Sequence, residues 1–310
     1  MTWAVAAVLF PGLEPYWPDF FASWAAQQGP TFHLLLLLED LEPEAVRAAL
    51  RPYPALAART RFRPAPGNPA RNRCALLQWA LDAGYTTLVF ADADDRFSPW
   101  RLARVQAALA RTALVGHDVA LIDARGRLQR ARYLARRWPD QMALTPQRLC
   151  HANGVGFSTL ALRLEPLRAR RARPPCPPDL VAVDWYLVTW LLRQGYEGRF
   201  LAEPLTAYRQ HARNLVGLGQ PPTLAHARRS LAVKARHYTA LAQAGWPAYE
   251  ALAQAARATL AQLDLDSAFA RRYTHYIQQR LPRPLLWWEA GVLWPDPRAH
   301  PLQEESLCNA

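Results

Sequence analysis

Over the first hundred residues, apolar positions come in short unbroken runs rather than in alternation. "WAVAAVLF" (3–10) closes on Pro11-Gly12, "FHLLLLLED" (32–40) stops at Glu39-Asp40, and "TTLVFAD" spans 86–92. Continuous runs of this length, bounded by turn residues, predict buried strands. Between them, "YWPDFFASWAAQQG" (16–29), "PEAVRAALRPY" (43–53) and "ARNRCALLQWALDAG" (70–84) read as helices, the first closed by Gly29 and the last by Gly84. Pro and Arg fill 61–69, which reads as a loop. Ser98 and Pro99 supply an N-cap and a first-turn proline for a helix over "WRLARVQAALA" (100–110). Strands and helices alternate, and the strands are apolar on both faces. An α/β fold follows, with a mixed, mostly parallel sheet covered by helices on both faces.

The pattern changes after residue 115. "DVALIDARGRL" (118–128) reads as strand, turn, strand, and "GVGFSTLALR" (154–163) as a further strand. "DLVAVDWYLVTWLLRQG" (179–195) is a strong helix, followed by a short strand, "YEGRFLAEP" (196–204). From about 222 onward the chain is Ala- and Arg-rich and helical, as in "HARRSLAVKARHYTALAQAG" (226–245). The expected division is a sheet-bearing domain over 1–221 and a mainly helical extension over 222–310, without internal repeats.

One stretch does not suit a purely structural role. In "YTTLVFADADDRFSPWRL" (85–102) an apolar strand ends in Asp92, Asp94 and Asp95. Residues two apart on a strand share a face, so Asp92 and Asp94 point the same way. Two unpaired carboxylates so placed repel and raise each other's pKa. A hard divalent cation between them removes the conflict, and oxygen donors suit Mn²⁺ or Mg²⁺ with phosphate oxygens as further ligands. Glu39, Asp40, Asp92 and Asp94 all fall at predicted carboxyl ends, where ligands bind in parallel sheets. The alternative is that these aspartates are solvated turn residues; for Asp95, a solvated or helix-capping role is the preferred reading.

Composition adjusts this picture little. The chain carries a formal +12 over 310 residues, with a sequence pI near 10.1. Lys234 is its one lysine, so the charge is almost all arginine. Arg, Ala, Leu and Pro enrichment of this kind follows genomic base composition, so no nucleic-acid partner is expected; anionic small molecules and membrane surfaces stay compatible. Cys74, Cys150, Cys176 and Cys308 are far apart and form no CxxC pair. Neither a zinc site nor a disulfide framework is expected, and a reducing cytoplasm fits best. "MTWAVAAVLFPGLEP" lacks a basic leader and reads as a strand rather than a signal peptide. No window of about 18 uninterrupted apolar residues exists to span a membrane.

Taken in order, several stretches resemble the family-two glycosyltransferases of the GT-A fold. They are "VLFPGLEPYWPDFFASWAAQ", the second strand ending in "LED", "ARNRCALLQWALDAGYTTLVFADADD" with its Ala70-Arg71-Asn72, Gly84 and DADD, "HDVALIDARGRL", and "VAVDWYLVTWLLRQGYEGRFLAEPLTAYRQHARNLVG". The resemblance runs from about residue 3 to 217. The last stretch is most like bacterial rhamnosyltransferases and related cell-surface polysaccharide enzymes. It implies a nucleotide-diphosphate sugar donor, a saccharide or lipid-linked acceptor, a Mn²⁺ or Mg²⁺ cofactor and an inverting transfer. Pro11, with Glu39 or Asp40, is implied to line the nucleotide base pocket, and Asn72 to join the nucleotide-binding set. Asp92 is implied to meet the ribose or the metal, Asp94 to bind the metal, His211 to reach metal or diphosphate, and Asp184 to be the catalytic base. The chain departs from the family at 39–42, where Glu-Asp-Leu-Glu stands in place of an acidic residue followed by Gly-Ser.

The chemistry is consistent with these residue types. Diphosphate departure needs charge neutralisation, the attacking hydroxyl needs a base, and water must be excluded. Asp184 sits at the start of an apolar helix, where burial raises its pKa and the helix dipole lowers it; it also reads as a simple helix cap. Trp185 reads as a core residue rather than a sugar platform. Arg209 and Arg213 read either as diphosphate contacts or as solvated side chains. Two other functions compete: a sugar-phosphate nucleotidyltransferase, against which "FPGLEPYW" lacks a basic Gly-rich loop, and a non-enzymatic basic binding protein, which has no use for the acidic cluster. Trp287, Trp288 and Trp294 beside Arg280 and Arg283 suggest either a peripheral contact with the inner leaflet or packing onto the catalytic domain; the short, proline-broken stretch favours packing.

Overall fold

In the computed structural model, the described residues are 2–214, 218–219 and 221–294. They form two compact units. The first comprises Met1–Ala143, Val155–Pro178 and Gly195–His211; the second comprises Leu144–Gly154, Asp179–Gln194 and Ala212–Ala310.

The first unit is built on one sheet. Its strands are β1 Trp3–Leu9, β2 Phe32–Leu38, β3 Thr60–Pro64, β4 Thr87–Phe90, β5 Arg96–Phe97, β6 Leu114–Asp123, β7 Leu128–Arg130, β8 Met142–Leu144, β9 Ala161–Arg163 and β10 Gly198–Gln210. The order is β3-β2-β1-β4-β9-β6-β10-β5, with β7 on β6 and β8 on β10. Strands β3, β2, β1 and β4 pair in parallel. Strand β9 is antiparallel to both β4 and β6, and β10 is parallel to β6. Two reversals restore direction, so the carboxyl ends of β1, β2, β4, β6 and β10 share one rim.

Helices α1 Trp17–Ala25, α2 Pro43–Leu50, α3 Pro54–Ala57, α4 Pro69–Asp82, α5 Arg101–Leu109 and α6 Glu165–Ala169 complete this unit. Phe20, Phe21 and Trp24 of α1 are fully buried, Phe20 and Trp24 against Phe97, Trp24 also against Phe32, and Phe21 against Phe20; burying side chains of this size stabilises by about 1.5–3 kcal/mol each. Gly29 ends the approach to α5 at φ +115, and a Cβ there would lie 2.8 Å from the Ala103 nitrogen, so no other residue fits.

Three expectations change. Residues 60–64 form a strand, not part of a loop. It is the sheet edge and alternates Arg61, Phe62, Arg63, and an edge strand guarded by charge has no continuous apolar signature. Beyond its predicted end at 204, the last strand continues through Pro204 to Gln210, with register shifts on both sides of Pro204; a bulge accommodates the missing N–H. Within 154–163 only Ala161–Arg163 is extended, after a 3-10 turn at Phe157–Thr159.

The expectation of no disulfide also fails. Cys74 on α4 is bonded to Cys176, 102 residues away. Cys150 is disulfide-bonded too, and among the described residues no cysteine is free; Cys308 lies outside the described residues. Spacing along the chain hid the pairing, because the fold returns the 170–178 segment to the first turn of α4. There Asn68 Nδ2 donates to the Pro178 carbonyl at 3.1 Å.

The second unit is helical: α7 Val183–Arg193, α8 Leu224–Gln243, α9 Tyr249–Leu265 and α10 Ser267–Arg280. Trp185 is fully buried, stacked on His237 at 3.9 Å, with its indole N–H on the Leu149 carbonyl at 2.6 Å. Trp287 and Trp288 are buried, and Asn153 and Trp287 exchange backbone hydrogen bonds. Trp294 packs edge-on against Phe269 and Tyr276. The tryptophan segment therefore packs within this unit. No helix among the described residues is long and apolar enough to cross a membrane.

Candidate active site

The carboxyl rim of the sheet gathers most of the residues singled out in the sequence. Strand β4 ends at Phe90 and delivers Asp92, Asp94 and Asp95 into the turn before β5. Strand β10 ends at Gln210, one residue before His211. The two ends meet: His211 Nε2 lies 2.8 Å from Asp94 Oδ2. Tyr16 stacks on the imidazole with centroids 5.2 Å apart.

Arg209 organises this meeting. Its guanidinium, 1% exposed, donates from Nε to the Asp94 carbonyl at 2.6 Å, from Nη1 to the Ala124 carbonyl at 3.2 Å and from Nη2 to Asp19 Oδ2 at 2.7 Å. It also sits over the Tyr16 ring at 4.8 Å. A planar fork with five donors suits such a junction; a lysine could not reproduce it. Of the two readings of Arg209, solvated or on a diphosphate, the structure supports neither, since its donors are spent on the protein.

Asp95 is likewise neither solvated nor a helix cap. It is wholly buried, accepting the Arg209 backbone N–H at 2.7 Å and the Ser158 hydroxyl. Burial, then the charges of Asp94 and Asp92, push its carboxyl well above the ordinary range, against the pull of those two hydrogen bonds. Ser98 leaves the capping duty unclaimed as well, because α5 begins at Arg101. The buried Arg101 donates to the Phe90 carbonyl at 2.8 Å and faces the Phe97 ring at 4.7 Å. Burial pulls it down to about 9, so it stays charged at neutral pH beneath the acidic turn.

Asp92 forms an ion pair with Arg73 of α4. Its pKa is raised, because burial outweighs the attraction of Arg73, with Asp94 adding repulsion. Asp92 and Asp94 thus take different partners, an arginine and a histidine. On α4, Asn72 bridges inward: its Nδ2 donates to Glu39 Oε2 at 2.6 Å, and its Oδ1 accepts the Gly67 N–H at 3.1 Å. The structure therefore joins Glu39 to Asn72 at the end of β2, whose next residue, Asp40, is exposed at φ 50. Pro11 is exposed in the turn after β1. Asp184 lies in the second unit, in the first turn of α7, with Oδ1 accepting the Trp185 N–H at 2.7 Å.

Sequence reasoning missed Arg73, Tyr16, Asp19 and Ser158. Nothing along the chain distinguishes Arg73 from the other 36 basic residues among 37; only the fold selects it.

The donor chemistry fits a Mn²⁺ or Mg²⁺ ion. Asp94 offers oxygen and His211 nitrogen, at side-chain exposures of 18% and 8%, so both are reachable yet held. No group of three or more His, Cys, Asp or Glu poised for a metal occurs among the described residues. A protein set this small suits an ion whose remaining positions are filled by phosphate and water oxygens.

No protein-family model matches the chain, and no curated protein does. Solved structures do. TarS from S. aureus in complex with UDP-GlcNAc aligns with TM-score 0.55 at 14% identity, over 86% of this chain and 74% of that one. The mannosyltransferase PcManGT from Pyrobaculum calidifontis, in complex with GDP-Man and Mn²⁺, aligns with TM-score 0.54 at 16% identity, over 98% of this chain and 84% of that one. With its parallel core, inserted antiparallel β9 and acidic turn after β4, the chain has the GT-A fold.

Proposed function

We propose that this chain is a glycosyltransferase that moves a sugar from a nucleotide-diphosphate donor to a hydroxyl of a saccharide or lipid-linked acceptor, with inversion at the anomeric carbon. The observation that carries this reading is the Asp94–His211 pair, 2.8 Å apart at the carboxyl rim of the sheet. Rims of this kind are where α/β sheets bind their ligands.

Asp94 and His211 would hold the divalent ion, which supplies Lewis-acid neutralisation of the departing diphosphate. The protein's own residues do the remaining work. Arg209 holds the Asp94 backbone and Tyr16 in place, so the pair is organised before a donor arrives. Asn72 orients the Glu39 carboxylate toward a nucleoside binding role. Asp92, engaged by Arg73 on one oxygen, offers its other oxygen to a ribose hydroxyl. Asp184 is the base: its carboxylate takes the proton from the attacking acceptor hydroxyl, a contribution of about a hundred- to ten-thousand-fold.

A thermal-shift screen of nucleoside diphosphates with and without Mn²⁺ tests the donor half of this reading, and donor hydrolysis with several nucleotide sugars tests the transfer half. Metal-dependent stabilisation by at least one diphosphate is the expected result. Identical curves in the presence and absence of Mn²⁺ would remove the basis for the site.

A further inference from the structure

The sheet-bearing unit carries a second concavity, away from the acidic rim. Strand β10 loses register with β6 between Leu201 and Pro204 and again before Thr206. Beside this bulge and the end of α5 lies an open groove of about 970 Å³, whose charged lining is Arg104, Arg111, Arg132, Arg199, Asp140 and Glu203. Its wall is built rather than loose. Asp140 Oδ1 accepts the Ala202 N–H at 2.9 Å, and Arg199 Nη1 donates to the Gln141 carbonyl at 3.1 Å.

Charge in the groove is unbalanced. Glu203 is paired with Arg104 at 3.1 Å, and Asp140 commits one oxygen to the backbone. Arg111 and Arg132 have no ion-pair partner among the described residues. Guanidinium groups match the oxygens of a phosphate in bidentate fashion, and a concave basic wall concentrates an anion near it. None of Asp94, His211, Arg209, Tyr16 or Asp19 lines this groove, which is therefore distinct from the Asp94–His211 site.

The geometry points to this groove as a binding site for a phosphate-bearing ligand, held chiefly by Arg111 and Arg132. A soluble phosphate ester and an anionic phospholipid headgroup present the same chemistry, and the test separates them. The full chain, with EDTA present, is titrated calorimetrically with pyrophosphate, and in parallel sedimented with vesicles of phosphatidylcholine with and without phosphatidylglycerol. The double variant Arg111→Gln/Arg132→Gln is compared with Arg271→Gln/Arg280→Gln, which removes equal charge from exposed positions on α10. The expected result is a loss of about fivefold or more in affinity for one of the two probes in the groove variant, with the control variant within about twofold of the parent. A pyrophosphate effect identifies a soluble ligand, and an effect confined to vesicles identifies the headgroup. Equal losses in both variants, or no loss in the groove variant with either probe, would overturn the proposal. The outcome is independent of the glycosyltransferase reading, because neither probe requires the divalent metal.

Discussion

Arg209 Nε donates to the backbone carbonyl of Asp94 at 2.6 Å across 115 residues of sequence. Two residues further on, the same strand end presents His211 to the Asp94 carboxylate. The end of β10 is thus both clamp and ligand for the acidic turn. Replacing Arg209 with Ala removes the partner of the part-exposed Asp19 carboxylate and of several carbonyls at once, and is expected to destabilise the chain by about 1–3 kcal/mol. Arg209→Lys keeps the charge but not the fork, and should recover only part of that loss. Urea denaturation with unchanged m-values checks both.

The metal pair is tested by its two members separately. Asp94→Ala should abolish Mn²⁺-dependent binding of nucleoside diphosphates, and His211→Ala should weaken it by about tenfold or more, in line with losing one ligand of a small set. Calorimetric titration with and without Mn²⁺ reads this directly. Full metal-dependent affinity in Asp94→Ala would assign the rim to structure alone.

For Asp184 the expected signature is kinetic. Asp184→Asn keeps donor binding and drops the transfer rate by about a hundredfold or more. Donor affinity measured on the same preparation separates a lost base from a damaged fold. Normal transfer by the variant would move the base elsewhere.

The disulfide between Cys74 and Cys176 closes a loop of 102 residues. In the chain-entropy account, a crosslink over a loop of about this length stabilises by roughly 4–5 kcal/mol. Cys74→Ser/Cys176→Ser should therefore lower the thermal midpoint clearly under non-reducing conditions. Because Cys74 follows Asn72 and Arg73 on α4, the same variant should also weaken nucleotide binding. A midpoint equal to that of the parent would show that the crosslink contributes little.

Acid sensitivity should arise in the helical unit. His237 is buried against Trp185, and burial, aided by Lys234, lowers its pKa to about 3. An unfolded histidine takes its proton near pH 6.5, so the unfolded state binds more protons between that value and about 3. Stability therefore falls as pH falls through this window, by at most about 1.4 kcal/mol per pH unit from this one group. His237→Phe should flatten that limb. Asp95 has a raised pKa and acts in the opposite sense, since protonation relieves its burial as pH falls.

Local patterning along the chain specifies the parallel core strands, the helices between them and the acidic turn after β4. All are local: a strand buried on both faces is written as a continuous apolar run, and the end of α4 as Gly84, whereas α1 stops at Ala25, four residues before the Gly29 expected to close it. Edge strand β3 was illegible because its alternating arginines answer to solvent and to the danger of edge pairing, not to the core. Only the tertiary structure decided which acid meets which base. Asp94 finds His211 because the inserted antiparallel strand β9 turns β6 and β10 to run alongside the first four strands, Asp92 finds Arg73 where β4 runs back beside α4, and Cys74 finds Cys176 where the 170–178 segment returns to α4. Such pairings depend on where distant chain segments are brought by burial of their apolar faces. No spacing along the chain encodes them.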